Sequence, residues 1–430
     1  MYALADCNNF FVSCERLYNP SLNNKPVVVL SNNDGCVISR SNEAKALGIP
    51  MGCPAFKISQ YTHSREVIRL SGRHQLYYDI SCRIMNILGQ NVDNVEVYSV
   101  DEAFFKVPYD DNEKNVNFLI KLREKIYKYV GIPVSIGVAP TRTLTKIAAR
   151  IAKKDASCSG VKILEENDFS DVLSSVDISD VWGIGRRLTA SLQENGIVNA
   201  AQFAALPSNL VRKRYGVTVA RTHDELLGID CIAISTTDAR RKSIGNSRTF
   251  ATMHYKKNDV QDAVLHFALS CAKQLRSEGA VASRIMVYVR GDYFKEDQPF
   301  YSNSCQLRLA TPTSDTLTLV NYAITALNSI FREGFGYRKA GVMVEGIIPA
   351  NEVQLSLFDH ADINKQKNLM RTVDLINRRF INANVILAPE VDRKKWAPRH
   401  EHNASQSKQL YIYSGMSRGG VSAIDYNEIE

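Results

Sequence analysis

Val95-Glu96-Val97-Tyr98-Ser99-Val100-Asp101-Glu102-Ala103-Phe104-Phe105-Lys106-Val107 carries the pattern that sets the architecture of the first half of the chain. Residues 95–100 alternate polar and apolar side chains, the period of a strand with one buried face. Residues 103–107 form a second such run, and Asp101-Glu102 sits in the tight connection, so the spacing predicts an antiparallel hairpin. Working outward, Tyr2-Ala3-Leu4-Ala5-Asp6 is a short apolar strand that ends on a carboxylate. Val27-Val28-Val29-Leu30 is another strand, closed by the turn Ser31-Asn32-Asn33-Asp34-Gly35. Helices are expected over Asn42 to Leu47 (stopped by Gly48 and Pro50), Leu76 to Leu88, Phe118 to Tyr129 and Thr141 to Lys154, the last carrying Lys146 and Lys153. Val134 to Ala139 is one more strand. Hairpin-linked strands mixed with helices indicate an α+β sheet domain, not a doubly wound parallel one.

A chain of 430 residues is too long for one core, and three or four domains are expected. Residues from Phe169 to Ile229 have helical character throughout. Ser235 to Lys242 is polar and basic, the composition of a linker. Residues 242–348 return to strand alternation (Arg284 to Val289) with amphipathic helices over Val260 to Glu278 and Leu317 to Phe331. The nine cysteines are odd in number, irregularly spaced and without a C-x-x-C pair, which argues against a disulfide framework and a structural zinc site. No apolar run reaches membrane-spanning length and no secretion signal is apparent, so a reducing cytoplasm is expected. The net charge of +8 is compatible with a nucleic-acid partner without requiring one.

The chemistry-bearing residues are three acids at strand ends. A carboxylate at the end of a core strand is costly unless it is solvated, paired or on a metal. By themselves Asp6, Asp101 and Glu102 fit three readings: hard oxygen ligands for Mg²⁺, a general acid/base pair, or a polar turn beside an unrelated strand end. The flanking residues bear on that choice.

Asp6-Cys7-Asn8-Asn9-Phe10-Phe11-Val12-Ser13-Cys14-Glu15 resembles the opening motif of Y-family translesion DNA polymerases, and Tyr98-Ser99-Val100-Asp101-Glu102-Ala103-Phe104 resembles their catalytic hairpin. Lys25 to Val29 and the segment from Gly137 to Ala148 match further stretches of that family in order and spacing. Ser31 to Arg40, Asn42 to Ile49, Asp180 to Arg187 and Lys339 to Met343 are similar to the UmuC branch, the catalytic subunit of bacterial polymerase V. The resemblance runs from Met1 to about Asp359.

It implies an α+β multidomain right-hand polymerase. The expected parts are a ferredoxin-like palm (1–10 and 72–163), small fingers (11–71), a helical thumb with a helix-hairpin-helix near 180–192 (164–232), a linker (233–241), an α/β little finger (242–348) and a C-terminal region (349–430). The implied activity is error-prone, template-directed translesion DNA synthesis in the SOS response to DNA damage. Asp6, Asp101, Glu102 and the Cys7 carbonyl are the implied ligands of two Mg²⁺ ions, with Asp6 and Asp101 bridging both and Glu102 serving the ion at the primer 3′-oxygen. Phe11 falls where the family places its steric gate against the 2′-hydroxyl of the incoming sugar. Phe10 stands beside it among the candidate nucleotide contacts, although a core aromatic is the role expected of it. Lys153 is the implied triphosphate lysine, and Ser39, Asn42 and Lys45 align with phosphate-contacting positions, where a polar helix face is the competing reading.

Candidate DNA contacts are Gly183, Gly185 and Arg186 of the hairpin, whose glycines let backbone N–H groups approach a phosphate. Arg240, Arg241, Lys242 and Arg248 are candidates at the start of the little finger. Gln354-Leu355-Ser356-Leu357-Phe358 fits the Q-L-x-L-F motif that docks on a bacterial sliding clamp. The implied partners are primer-template DNA, dNTPs, the sliding clamp, a processed UmuD dimer and RecA, with no membrane. The competing classes are a single-subunit polymerase IV-like enzyme, a nucleotidyl cyclase and a non-catalytic DNA-binding module that recruits a clamp.

Overall fold

A computed structural model describes residues 1–61, 66–234, 240–295, 299–353, 363–379, 385 and 401–402. The described chain divides into two compact units, one holding residues 1–31 and 35–234 and the other chiefly residues 240–353 and 363–379.

In the first unit, β1 (Tyr2–Cys7) is followed by α1 (Phe10–Tyr18). A small sheet then forms from β2 (Val27–Leu30), β3 (Val37–Arg40) and β4 (Ile68–Ser71), with α2 (Asn42–Ala46) after β3. This sheet has the order β3-β2-β4 and its own apolar core of Val28, Leu30, Val37, Ala44, Ile49 and Ile58. The chain continues through α3 (His74–Gly89), β5 (Glu96–Val97), β6 (Glu102–Lys106), α4 (Asn112–Val130), β7 (Val134–Ala139), α5 (Arg142–Lys154) and β8 (Val161–Ile163).

The main sheet has the order β5-β6-β1-β7-β8. Its first four strands, with α3 and α4 in the connections, have the ferredoxin-like arrangement, and β8 adds a parallel edge beside β7. β1 and β7 are buried on both faces, which is why each reads as a continuous apolar run instead of an alternating one.

The opening hairpin is shorter than its alternation predicts. Only Glu96 and Val97 pair with β6, opposite Phe104 and Ala103. At Tyr98 the chain already turns, because the N–H groups of Tyr98 and Ser99 both donate to the Glu102 carbonyl. The Ser99 hydroxyl then accepts from the N–H groups of Asp101 and Glu102. A serine side chain thus does what a strand partner would have done.

α5 lies against β7 at unusually short range. A Cβ on Gly137 would stand 2.0 Å from the Ala149 nitrogen and 2.6 Å from the Ala148 carbonyl carbon. The helix begins with Thr141 as N-cap, its hydroxyl accepting from the Leu144 N–H. Its first turn is also held by Glu225, fully buried, whose carboxylate accepts from the Thr143 N–H at 2.9 Å and from the Thr143 hydroxyl at 2.6 Å.

The helical segment comprises α6 (Phe169–Ser175), α7 (Arg186–Glu194), α8 (Ala200–Ala204), α9 (Ser208–Tyr215) and α10 (Val217–Leu226). The helix expected before the glycine loop is not there. Residues 176–182 contain only a three-residue 3₁₀ turn, Ile178–Asp180, capped by the Asp177 side chain. Val176 and Ile178 spend their backbone groups on Ala200 and Val198. That bridge takes the hydrogen bonds a helix would have needed. The motif is a 3₁₀ turn, a glycine loop and α7.

The second unit contains β9 (Ser243–His254), α11 (Lys257–Ser277), β10 (Ala280–Arg290), β11 (Ser302–Thr313), α12 (Thr316–Ile330), β12 (Tyr337–Glu345), β13 (Ile348–Pro349) and α13 (Ile363–Arg379). Its sheet order is β11-β10-β12-β9, all antiparallel. Ile285, Val287 and Val289 point inward to a core shared with α11 and α12, including Phe267, Leu275, Leu319 and Leu327. Of the linker, residues 235–239 lie outside the described residues, as does the 354–358 motif.

Because nothing but hydrogen fits at residue 137, Gly137→Ala is expected to push α5 away from β7. Overpacking of this kind costs on the order of 1–3 kcal/mol. Thermal unfolding of the purified chain should show a midpoint lower by roughly 2–10 °C; an unchanged midpoint would refute the close approach.

Candidate active site

β1 brings Asp6 directly opposite Glu102 in the antiparallel register with β6, and Asp101 immediately precedes that strand. The Cys7 N–H donates to the Asp101 carbonyl at 2.9 Å, which ties the turn to the end of β1. All three sequence-expected acids therefore gather at one end of the main sheet.

Burial raises the pKa of Asp101 above the ordinary carboxylate range. A hydrogen bond from Ser99 at 2.6 Å opposes the shift and the charge of Asp6 adds to it. Burial raises Glu102 as well, and Lys146 works in the opposite direction.

The countercharges come from α5. Lys146 and Lys153 are seven residues apart, two helical turns, and so lie on one face. The Lys153 ammonium donates to Asp6 Oδ1 at 2.6 Å and the Lys146 ammonium to Glu102 Oε2 at 2.9 Å. Lys146 also rests over the Tyr98 ring, 4.4 Å from its centre. Tyr98 in turn accepts a hydrogen bond from the Trp182 indole at 3.1 Å. Arg142, nearly buried, lies 4.2 Å over Phe104 and makes a bidentate pair with Glu96.

As they stand, no three His, Cys, Asp or Glu side chains among the described residues close on a common point. Each member of the trio is instead turned to its own partner, Lys153, Lys146 or Ser99. The donor set nonetheless fits a hard divalent cation: three carboxylates, partly buried, two of them held above their ordinary pKa values.

The nucleotide candidates divide. Phe11, half-buried, stacks on Tyr77 with ring centres 4.4 Å apart and planes 17° apart. Phe10 is buried in the core, the place expected of it as a core aromatic. Ser39 is likewise buried, its hydroxyl accepting from the Val12 N–H at 3.4 Å and so linking β3 to α1.

Lys45 and Asn42 do reach the site through Asn9, which the sequence reading missed. Asn9 adopts the left-handed conformation just before α1. Its Oδ1 accepts from Lys45 Nζ at 2.6 Å, and its amide donates to Asn42 Oδ1 at 3.0 Å. Burial lowers the pKa of Lys45, and the neighbouring charges of Lys153 and Arg40 lower it further. A concentration of positive charge thus stands beside the acids. The asparagine pair preceding Phe10 is the signal that could have pointed to this link.

On the helical segment, Gly183 takes a φ of 85°, a conformation that favours glycine, and Gly185 caps α7. Ile184 is buried as the anchor, while Gly183, Gly185, Arg186 and Arg187 are exposed.

The basic candidates of the second unit are more engaged than their sequence suggests. Arg240 pairs with Glu352 at 3.7 Å, Arg241 with Glu278 at 3.5 Å, and Arg248 donates to the Ser247 carbonyl. Lys242 is exposed. A separate polar trough lies on the outward face of this sheet, lined by Met286, Tyr288, Arg290, Asn303, Ser304 and Lys339. Its floor exists because Gly341 leaves room for the Tyr288 ring.

A ferredoxin-like sheet with carboxylates at one strand end, a small appended sheet, a helical segment with an exposed glycine loop and a separate unit built on an antiparallel sheet together define a Y-family DNA polymerase. Solved structures agree: a Y-family DNA polymerase chimera of Dbh and Dpo4 superposes with a TM-score of 0.65 at 25% identity, covering 81% of this chain and 99% of that one. The chain belongs to the impB/mucB/samB family, matching it over residues 5–150 and matching the family's C-terminal domain over residues 241–357. It is 37% identical to Protein ImpB of Salmonella typhimurium over 391 residues, 88% of this chain and 90% of that one. It is 35% identical to Protein UmuC of Salmonella typhimurium strain LT2 over 405 residues, 93% and 96% of the two chains. A DNA polymerase IV of Bacillus subtilis is more distant, at 27% over 394 residues. The chain is accordingly a DNA-directed DNA polymerase of the UmuC branch, an error-prone translesion enzyme of the SOS response. Among the described residues no helix is long and apolar enough to cross a membrane.

The raised pKa of Asp101 means that its ionised form costs stability at neutral pH. Asp101→Asn keeps the acceptor for Ser99 and removes the charge. The variant should be more stable than the parent by about 0.5–2 kcal/mol at neutral pH. The gain should shrink as the pH falls through the raised folded-state pKa toward the ordinary carboxylate range, where Asp101 in the parent protein becomes neutral too. Melting curves across that range test this, and a variant less stable at neutral pH would contradict it.

Proposed function

We propose that Asp6, Asp101 and Glu102, with the Cys7 carbonyl, hold two Mg²⁺ ions and carry nucleotidyl transfer from a dNTP to a primer 3′-end. The observation that supports this most directly is the pairing of Asp6 with Glu102 across β1 and β6, with Asp101 beside them. Bound there, the ions would supply activation of the 3′-oxygen and charge neutralisation of the departing pyrophosphate. Lys153 and Lys146 serve as the acids' countercharges until then and are released as the site fills. Lys153, with Lys45 close by, then meets the triphosphate, for which an ammonium point charge is suited. Phe11 closes the space at C2′ of the incoming sugar and rejects ribonucleotides by a steric clash.

In this reading, residues 1–10 and 72–163 form the palm, 11–71 the fingers, 164–232 the thumb and 242–348 the little finger, joined by the linker 233–241. The exposed backbone at Gly183 and Gly185, with Arg186, grips duplex phosphates, and Lys242 together with the outward sheet face holds the DNA backbone without reading bases. Gln354, Leu355, Leu357 and Phe358 dock on the sliding clamp. Likeness to UmuC and MucB motivates a processed UmuD dimer and RecA as partners, in the cytoplasm.

Primer extension past an abasic site, with and without clamp and the UmuD-type partner, is the decisive assay. Asp101→Ala is expected to bind primer-template and to lower extension by at least about a thousandfold. Retained extension with dNTP and Mg²⁺ would defeat the assignment. Phe11→Ala should raise ribonucleotide incorporation, and unchanged sugar selectivity would remove the gate.

A further inference from the structure

Phe11 and Glu15 lie four residues apart on α1, and Arg73 and Tyr77 four apart at the start of α3, where Arg73 is the N-cap. Each pair therefore shares one helix face. The two faces meet in a closed unit. The Tyr77 ring stacks on Phe11, and its hydroxyl donates to Glu15 Oε1 at 2.6 Å. Arg73 grips both oxygens of the same carboxylate, Nε donating to Oε1 at 2.9 Å and the second nitrogen to Oε2. Tyr77 is completely buried and Glu15 is 1% exposed. His74 stands edge-on to both rings, with centres 6.0 Å from each.

The Glu15 carboxylate is buried while the Arg73 side chain stays 29% exposed, so the pair adds little stability over an apolar replacement: the carboxylate has lost its water and the guanidinium part of its own. What it does provide is a single allowed position for whatever is attached to it. That is the property a gate needs. An aromatic ring that rejects a hydroxyl by clashing is effective only if it does not yield, and an unsupported ring leaves its rotamer well cheaply. Here the stacked, hydrogen-bonded Tyr77 blocks that retreat.

We propose that Tyr77, fixed by the Glu15–Arg73 pair, is the positioning residue that holds Phe11 rigid and so sets the discrimination between deoxyribose and ribose. The inference rests on Phe11 being the sugar gate.

The test is the ratio of kcat/KM for a dNTP to that for the matching rNTP in single-nucleotide insertion by the full chain. A ratio is independent of the fraction of active enzyme, so partial misfolding does not mimic the effect. Tyr77→Leu removes the stack and should lower the ratio roughly three- to tenfold, the range set by an aromatic ring freed to leave its well. The change should come from faster ribonucleotide insertion, with dNTP insertion little altered. Tyr77→Phe keeps the stack but cuts the link to Glu15, and should give a ratio between those of the parent and Tyr77→Leu. Phe11→Ala is measured beside them. If Phe11→Ala lowers the ratio while Tyr77→Leu leaves it at the parent value, the positioning role is overturned and the gate stands. If Phe11→Ala also leaves it unchanged, the gate itself fails and this inference with it.

Discussion

The structure depends on three carboxylates brought to one end of a sheet and balanced by two ammonium groups from one helix. Asp6 and Glu102 are cross-strand neighbours and Asp101 is next in sequence, an arrangement that like charges oppose. Lys153 and Lys146 make it tolerable, at 2.6 and 2.9 Å from their partners. That balance requires α5 at a particular distance from the sheet, and Gly137 sets the distance by having no side chain. The tight packing of a strand glycine, the capping of α5 by Thr141 and the buried Glu225 beneath its first turn all serve the placement of the two lysines.

The same charges connect distant parts of the first unit. Lys146 lies over Tyr98, Tyr98 accepts from Trp182, and Trp182 directly precedes the exposed Gly183-Ile184-Gly185 loop. Lys153 adds to the field that depresses Lys45, whose ammonium is tied through Asn9 to the start of α1. The loop proposed to hold DNA and the lysine proposed to meet the triphosphate are therefore each one or two contacts from a carboxylate proposed to hold metal.

A different economy governs α1 and α3. Their shared ion pair buries the Glu15 carboxylate where hydrophobic residues would hold the helices together at least as well. It makes sense as a device for position: the carboxylate of Glu15 orients a tyrosine, and the tyrosine orients Phe11. Polar groups in a core specify one arrangement more strictly than apolar groups, which tolerate sliding.

The sequence alone specified the sheet strands at Tyr2, Val134 and Ala103, the helix bearing Lys146 and Lys153, the mixed α+β class and the three acids that gather at one end of the sheet. These were legible because they depend on local periodicity, strand-end carboxylates and a motif of contiguous residues. It overextended the strand before Tyr98 and supplied a helix at residues 176–182. In both places side chains and a distant bridge took backbone hydrogen bonds that the local pattern assigned to regular structure. That Phe10 and Ser39 are internal, that Arg240 and Arg241 stand near Glu352 and Glu278, and that Asn9, Tyr77 and Glu15 pack around Phe11 and Lys45 came from the tertiary contacts alone. Those roles come from which helix face meets which across dozens or hundreds of residues. Burial and pairing are properties of that meeting, and no residue carries them in its own identity.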